Sequence, residues 1–290
     1  MVSANDVKQL REKTGAGMLD CKKALIETNG DFDKATDWLR EKGISTANKK
    51  ASRIATEGLI NIETNGNIAV MVEVNAETDF VSKNEGFINL INKITNVVLN
   101  NEVINMDEAL AINVDNGTLN DLIVSTIAKI GEKISFRRFE KLIKQDNEIF
   151  GVYLHMGGRI GVITVIQNGD KEVAKDIAMH IAAIKPKYIS KEEIPSEEIE
   201  KEKKILREQA LNEGKPEAII DKMVEGRISK YYKEVCLLDQ PFFKDGDINV
   251  NQYLSSKEVT VKKFIRFELG EGLEKREDNF AEEVMKQINN

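Results

Sequence analysis

Two stretches of this 290-residue chain share one pattern, and this repeat limits the possible folds more than any other feature. GLINIETNGNIAVMVEV at 58–74 and GVYLHMGGRIGVITV at 151–165 align with one gap. Each has two apolar strand-like runs around a glycine-containing turn, which is typical of a β-hairpin. Each is followed by a segment of helical periodicity, EGFINLINKITNVVL and KEVAKDIAMHIAAI. The repeat predicts a duplicated unit, and therefore an α+β core of two related subdomains with antiparallel sheets.

Further segments complete these units. Apolar periodicity predicts a helix at 118–134, and ISFRRFEKL after it has the composition of a strand. VTVKKFIRFEL, much later in the chain, predicts a returning strand. A final acidic amphipathic helix is expected near NFAEEVMKQI.

The first 43 residues predict three short helices. TGAG at 14–17 separates the first two, Asn29 and Gly30 end the second, and Gly43 is expected to end the third. A bundle of this size buries too little surface to be more than marginally stable alone. We therefore expect it to dock or to bind a partner.

A basic segment follows these helices. ISTANKKASRIATEG carries Lys49, Lys50 and Arg53 among small residues and is expected to be a helical or extended linker. Runs of charge are usually solvated, so a solvated connector is the favoured interpretation. A nucleic-acid contact is the alternative.

Residues 191–234 depart from the repeat. They are rich in charge, with narrow apolar seams on either side of an NEGKP break that contains Gly214 and Pro216. This pattern predicts two antiparallel helices that form a projecting coiled-coil hairpin.

Composition excludes several classes of protein. The formal net charge of −7 disfavours a general nucleic-acid binder, and no apolar run is long enough to cross a bilayer. Cys21 and Cys236 lack the spacing of a metal site, and His155 and His180 are too few for zinc ligation. The start of the chain lacks the apolar core of a signal peptide, so we expect a cytoplasmic protein with free thiols.

Five motifs, in order and at their separations, carry a family resemblance. They are LREKTGAGMLDCKKAL, EVNAETDFVSKNEGF, HMGGRIGV, GKPEAIIDKMVEGR and FIRFELGEG. Together they closely resemble bacterial elongation factor Ts over essentially the whole chain.

The resemblance implies a layout that agrees with the patterns above. Residues 1–54 would form a ubiquitin-associated-like (UBA-like) three-helix domain with its linker, and 55–140 the first core subdomain. Residues 141–190 and 235–263 would form the second, 191–234 the inserted coiled coil, and 264–290 a C-terminal helical module.

The resemblance also implies nucleotide exchange without chemistry, with no cofactor and no metal of the chain's own. Members of this family bind the GTPase elongation factor Tu, release its GDP and let GTP enter. Three groups of residues are implied to contact that partner. They are Thr78, Asp79, Phe80 and Val81 near its nucleotide and magnesium, Arg11, Met18 and Leu19 at its nucleotide-binding domain, and His155 and Arg159 at its third domain.

Taken without the family motifs, these residues have plainer interpretations. Asp79 and Phe80 would be an acid at a helix N-terminus beside a core phenylalanine. TGAGM lacks the pattern of a phosphate-binding loop, and Cys21 has no histidine in its segment that would make it a nucleophile. An enzyme would need a convergent set of reactive groups, which the sequence does not supply.

Overall fold

A computed structural model describes residues 2–115 and 117–274. The helices of this part are α1 (Ala4–Thr14), α2 (Met18–Glu27), α3 (Phe32–Lys50), α4 (Asp79–Ser82), α5 (Glu85–Asn100), α6 (Met106–Ala111), α7 (Leu119–Ile130), α8 (Lys171–Ile184), α9 (Ser196–Asn212), α10 (Glu217–Val235) and α11 (Val250–Ser255). The strands are β1 (Glu57–Asn65), β2 (Ile68–Ala76), β3 (Asn113–Val114), β4 (Gly117–Thr118), β5 (Ile134–Ile143), β6 (Glu148–His155), β7 (Ile160–Gln167), β8 (Pro241–Phe242), β9 (Asp245–Asn249) and β10 (Thr260–Glu268).

Local signals set the ends of the first three helices, which the sequence predicted. Ser3 and Asp6 form a capping box at the start of α1, with bonds of 3.1 and 2.8 Å. Gly15, with φ 64°, ends α1 in the left-handed conformation. The apolar faces of the three helices meet around the fully buried Leu10 and Leu25.

The prediction that Gly43 ends the third helix is wrong, because α3 continues to Lys50. Gly43 is buried against α7, where an added Cβ would lie 3.6 Å from a methyl group of Val124. Arg40, one turn earlier, donates to both carboxylate oxygens of Asp121 at 2.9 Å. Packing on α7 therefore outweighs the low helix propensity of glycine.

The first sheet has the strand order β1-β2-β5, with every pair antiparallel. The β1–β2 hairpin turns at Gly66 and Asn67, as the sequence predicted. Helices α5 and α7 cover one face, where Val70, Val72 and Val74 of β2 pack against them. Since side chains alternate along a strand, the residues between these valines point to the opposite face.

The second sheet has the order β6-β7-β10 and the same plan. In both sheets the second strand of the hairpin is central, a helix follows it, and a third strand returns antiparallel to it. Helix α8 covers the outer face of the second sheet through Val162 and Ile166. The prediction of an α+β fold is confirmed, and the repeat in sequence corresponds to a repeat in topology.

The two sheets pack face to face. Ala69 and Met71 of β2 share a buried apolar cluster with Ile163 of β7 and Phe267 of β10. Strands β2 and β7 are therefore buried on both faces, which explains why they read as continuous apolar runs. The core therefore has four layers, which are helices α5 and α7, the first sheet, the second sheet and helix α8.

A buried carboxylate joins the sheets beside this cluster. Glu73 of β2 is fully buried and accepts hydrogen bonds from Arg137 Nη1 and from the backbone N–H of Gly270, both at 2.9 Å. Arg138 Nε donates to its other oxygen at 2.5 Å. Burial alone would raise the pKa of Glu73, but the Gly270 N–H and the two arginines hold it below its usual range. Glu73 is thus charged and paired with two arginines of its own sheet, and its bond to Gly270 links the first sheet to the end of β10.

Helices α9 and α10 are inserted between α8 and β10 of the second unit. They are joined by residues 213–216 and pack on each other through Ala210, Ile220, Val224 and Ile228. At their base, Glu198 accepts hydrogen bonds from Tyr188 at 2.7 Å and Tyr231 at 2.6 Å.

Some expected bounds differ from the structure. The helix expected at 118–134 ends at Ile130, because Gly131 with φ 83° terminates it. Strands β5 and β10 cross the boundaries expected after residues 140 and 263. The helix expected near NFAEEVMKQI lies outside the described residues. No helix within 2–115 and 117–274 is long and apolar enough to cross a membrane.

Candidate partner-binding site

Residues 77–84 connect the central strand of the first sheet to α5 and contain the one-turn helix α4. Asn84 begins α5, where its Oδ1 accepts from the backbone N–H of Gly86 at 2.8 Å. Phe80 is 77% exposed, and the next residue, Val81, is 5% exposed and packs in the core of the first unit. The connection thus presents one large apolar side chain to solvent and buries the neighbouring one.

The geometry of a helical turn explains this contrast. Consecutive helical residues point about 100° apart, so a valine anchored in the core directs the preceding side chain away from it. The side chain of Asp79 is 49% exposed, and its Oδ2 lies 3.5 Å from Lys83 Nζ. Phe80 is therefore not a core residue, and its neighbour is an accessible carboxylate.

Two glutamates, Glu132 and Glu77, hydrogen-bond the connection to neighbouring segments. Glu132, just after α7, accepts hydrogen bonds from the backbone N–H of Thr78 at 3.0 Å and from Thr78 Oγ1 at 2.8 Å. Glu77 accepts from the backbone N–H of Lys133 at 2.6 Å and from Arg53 Nη1 at 3.2 Å. These bonds tie the connection to the turn between α7 and β5.

The second predicted group lies at the turn between α1 and α2. Arg11 is exposed in the last turn of α1, and Met18 and Leu19 are 57% and 82% exposed at the start of α2. The end of the Lys129 side chain of α7 lies beside this turn, because a Cβ added at Gly15 would be 2.6 Å from Lys129 Nζ. Two large apolar side chains are thus exposed at the start of α2.

The third predicted group lies at the turn of the second hairpin. His155 and Arg159 are exposed, and Tyr153 OH lies 2.9 Å from His155 Nδ1. The turn itself is docked, since the Gly158 carbonyl accepts from the backbone N–H of Ile60 at 2.8 Å. Arg159 also pairs with Glu57 at the start of β1.

These three groups converge on one end of the first sheet. Glu57, the partner of Arg159, is paired in register with Ala76, the last residue of β2 before the connection. Lys129, which packs on Gly15, lies three residues before Glu132, which binds Thr78. The contacts with Glu57 and Lys129 thus place the second and third groups beside residues that adjoin 77–84 in the strand register or along the chain.

Comparison with known families bears on this arrangement. The family model described as "Elongation factor TS" matches residues 77–271, which is well over half of the chain and begins at this connection. The chain belongs to the elongation factor TS family. The resemblance read from the motifs is thereby confirmed.

In this family member, the side chains of two predicted contact residues interact with other residues of the same chain. Val81 is buried, and the hydroxyl of Thr78 is bonded to Glu132. Their side chains support the connection from the core side, whereas Asp79 and Phe80 are the ones that face solvent. The sequence pattern did not reveal Glu77 and Glu132, because the contact between Glu132 and Thr78 spans 54 positions.

The basic segment of this family member is not a free linker. Residues up to Lys50 are helical, Lys50 Nζ donates to the Gly131 carbonyl at 2.6 Å, and Arg53 pairs with Glu77. Within residues 2–115 and 117–274, no group of histidine, cysteine, aspartate or glutamate side chains is placed to hold a metal ion. Cys21 is fully buried, and this burial raises the pKa of its thiol.

Proposed function

We propose that this chain is a guanine nucleotide exchange factor that binds elongation factor Tu and promotes release of its GDP, so that GTP can bind during translation elongation. Membership of the elongation factor TS family supports this partner. The observation that carries the proposal is the exposure of Phe80 beside an accessible Asp79, on a turn anchored by the buried Val81.

In this mechanism Phe80 enters a cleft of the partner close to its nucleotide. Burying a phenylalanine is worth roughly 1.5–3 kcal/mol, which is available to displace groups around the nucleotide. A bound Mg²⁺ demands near-ideal octahedral geometry, so a small displacement of its surroundings weakens it strongly. Asp79 adds a negative charge that rearranges the same shell.

Binding and exchange are coupled in both directions. If the exchange factor lowers the affinity of the partner for nucleotide, nucleotide must lower the affinity of the partner for the exchange factor by the same ratio. GTP that enters the emptied site therefore expels the exchange factor. The chain needs no reaction chemistry for this cycle, and we propose that it is not an enzyme.

The rest of the chain positions this contact. Helices α1–α3 within residues 1–54 act as a UBA-like docking domain through Arg11, Met18 and Leu19. Residues 55–140 form one core subdomain, and 141–190 with 235–263 the other, whose His155 and Arg159 meet the third domain of the partner. Helices α9 and α10 within 191–234 form a coiled-coil hairpin that is not needed for exchange.

Direct contact with nucleic acid is not part of the proposal. The net charge of −7 opposes it, and Lys50 and Arg53 already bond to groups of this chain. The proposed place of action is the cytoplasm, where translation elongation proceeds.

Release of labelled GDP from elongation factor Tu tests the proposal. We expect substoichiometric amounts of the chain to accelerate release in excess magnesium. Asp79→Ala should reduce this acceleration, and the difference from the parent should shrink when magnesium is chelated, because chelation removes what the side chain disturbs. Equal release with and without the chain would refute the proposal.

A further inference from the structure

The connection at residues 77–84 has little apolar anchoring of its own. Val81 is its only residue that is buried, and α4 is a single turn. One buried side chain fixes a point but leaves rotation about that point. The exposed Phe80 therefore depends on other contacts for a defined direction.

Glu132 supplies those contacts at Thr78, the residue just before α4. Thr78 is the N-cap of α4, yet its hydroxyl caps nothing in that helix and donates to Glu132 instead. The backbone N–H of Thr78 donates to the other oxygen of the same carboxylate. A bidentate carboxylate fixes both position and orientation, and bonds to a charged acceptor are stronger than neutral ones.

Glu77 reinforces the arrangement in the reverse direction. Glu132 belongs to the α7–β5 turn and binds the connection, while Glu77 belongs to the connection and binds Lys133 of that turn. The segment after α3 joins the same network, since Lys133 Nζ donates to the Arg53 carbonyl at 2.7 Å. The two segments thus hold each other through reciprocal carboxylates.

We propose that Glu132 is a positioning residue for exchange, which sets the direction of Phe80 by holding Thr78. The inference rests on the proposed function, because it assigns a role in that activity. Glu132 itself need not touch the partner. Its removal should leave docking by the other surfaces intact and reduce the rate at which the bound partner loses GDP.

The test measures GDP release from elongation factor Tu against the concentration of the chain. For Glu132→Ala we expect the maximum rate to fall about tenfold, since bonds to a charged acceptor are lost, with little change in the half-saturating concentration. Glu132→Gln keeps one oxygen acceptor and should recover part of the rate. Glu140→Ala, an exposed glutamate on β5, is the matched control and should behave as the parent.

Thr78→Val provides a second route that does not depend on the fold of the Glu132 variants, because valine has the shape of threonine. Thr78→Val should lower the maximum rate. Added to Glu132→Ala it should cause little further loss, since both variants remove the same bond between the Thr78 hydroxyl and Glu132. A folded Glu132→Ala protein or a Thr78→Val protein with the parent's maximum rate would overturn the inference.

Amide hydrogen exchange of the full chain without partner separates this inference from the proposed function. The Thr78 amide should be protected in the parent and should exchange faster in Glu132→Ala. If the parent fails to accelerate GDP release, the proposed function falls, and with it the assigned role. If the parent is active and Thr78 protection does not change, only the role of Glu132 falls.

Discussion

The two sheets share a topology but differ in how the central strand reaches its helix. In the second unit, residues 168–170 lead directly from β7 to α8. In the first unit, residues 77–84 lie between β2 and α5 and include the extra helix α4. One scaffold thus carries a short connection in one copy and a long one in the other.

The caps show that the longer connection is not required by the fold. Asp170 starts α8 by accepting from the Val173 N–H at 2.8 Å, as Asn84 starts α5. Each helix needs one capping residue, and the second unit supplies it almost immediately. The additional residues of the first unit, among them Asp79 and Phe80, are therefore available for a partner. The repeat thus forms the scaffold, and the difference between its two copies forms the candidate site.

The largest effect should follow from removing the buried carboxylate of the first unit that also contacts the second unit. Glu73→Ala leaves Arg137 and Arg138 of the first sheet without their shared carboxylate and removes the acceptor of the Gly270 N–H after β10, and breaking such a buried pair costs about 3–5 kcal/mol. Denaturation by urea measures the loss, with Glu140→Ala, an exposed glutamate on β5, as the control. An unchanged free energy of unfolding would mean that the units do not depend on this junction.

A smaller effect should come from His180 of the second unit, whose protonation should make stability depend on pH. His180 on α8 is fully buried, with Nε2 2.9 Å from Gln240 Oε1 and Nδ1 accepting from the Phe243 N–H at 3.3 Å. Burial lowers the pKa of His180 below its usual value of 6.5, against the opposing effect of the Gln240 bond. The unfolded chain therefore binds the proton first as the pH falls, so stability should decline from pH 6.5 downward.

Urea denaturation at pH 7.5 and pH 5.5 measures this decline. His180→Gln should show a weaker decline than the parent, and His155→Gln, at the exposed hairpin turn, is the control for loss of a histidine. The same pH dependence in His180→Gln and the parent would exclude His180 as its source.

The smallest effect should come from the insertion of the second unit. Replacing residues 203–227 by a short Gly/Ser loop removes most of α9 and α10 but keeps the bonds of Tyr188 and Tyr231 to Glu198. Exchange should stay within about twofold, because the removed apolar residues pack mainly on each other. Loss of most exchange activity in a folded truncation would place part of the site on these helices.

Periodicity predicted the regular parts of this fold well. The two hairpins and helices α5 and α8 follow from short-range patterns of apolar residues and turns. Gly43 was misread because its environment is set by α7, far away in sequence. Helices α4, α6 and α11 and the short strands were missed, since elements of a few residues have no period to detect.

The candidate site was predictable only in part, and for a related reason. The family motif indicated Asp79 and Phe80, but it also included Val81, whose burial depends on packing against α5 and α7. Glu132 gave no signal in sequence, because a glutamate after a helix is ordinary until its partner Thr78 is known. Long-range contacts, which local patterns do not encode, decide which side of a connection faces solvent.

The most direct test of the account compares two phenylalanines seven positions apart. Phe80 is 77% exposed and Phe87 is fully buried in the first unit. Phe87→Ala should therefore reduce stability, whereas Phe80→Ala should reduce exchange activity. Phe87→Ala should lose about 3–5 kcal/mol of unfolding free energy. Phe80→Ala should change stability by less than about 0.5 kcal/mol and slow GDP release from elongation factor Tu by about tenfold or more. A Phe80→Ala protein that is as unstable as Phe87→Ala, or that is stable and releases GDP at the parent's rate, would contradict the account.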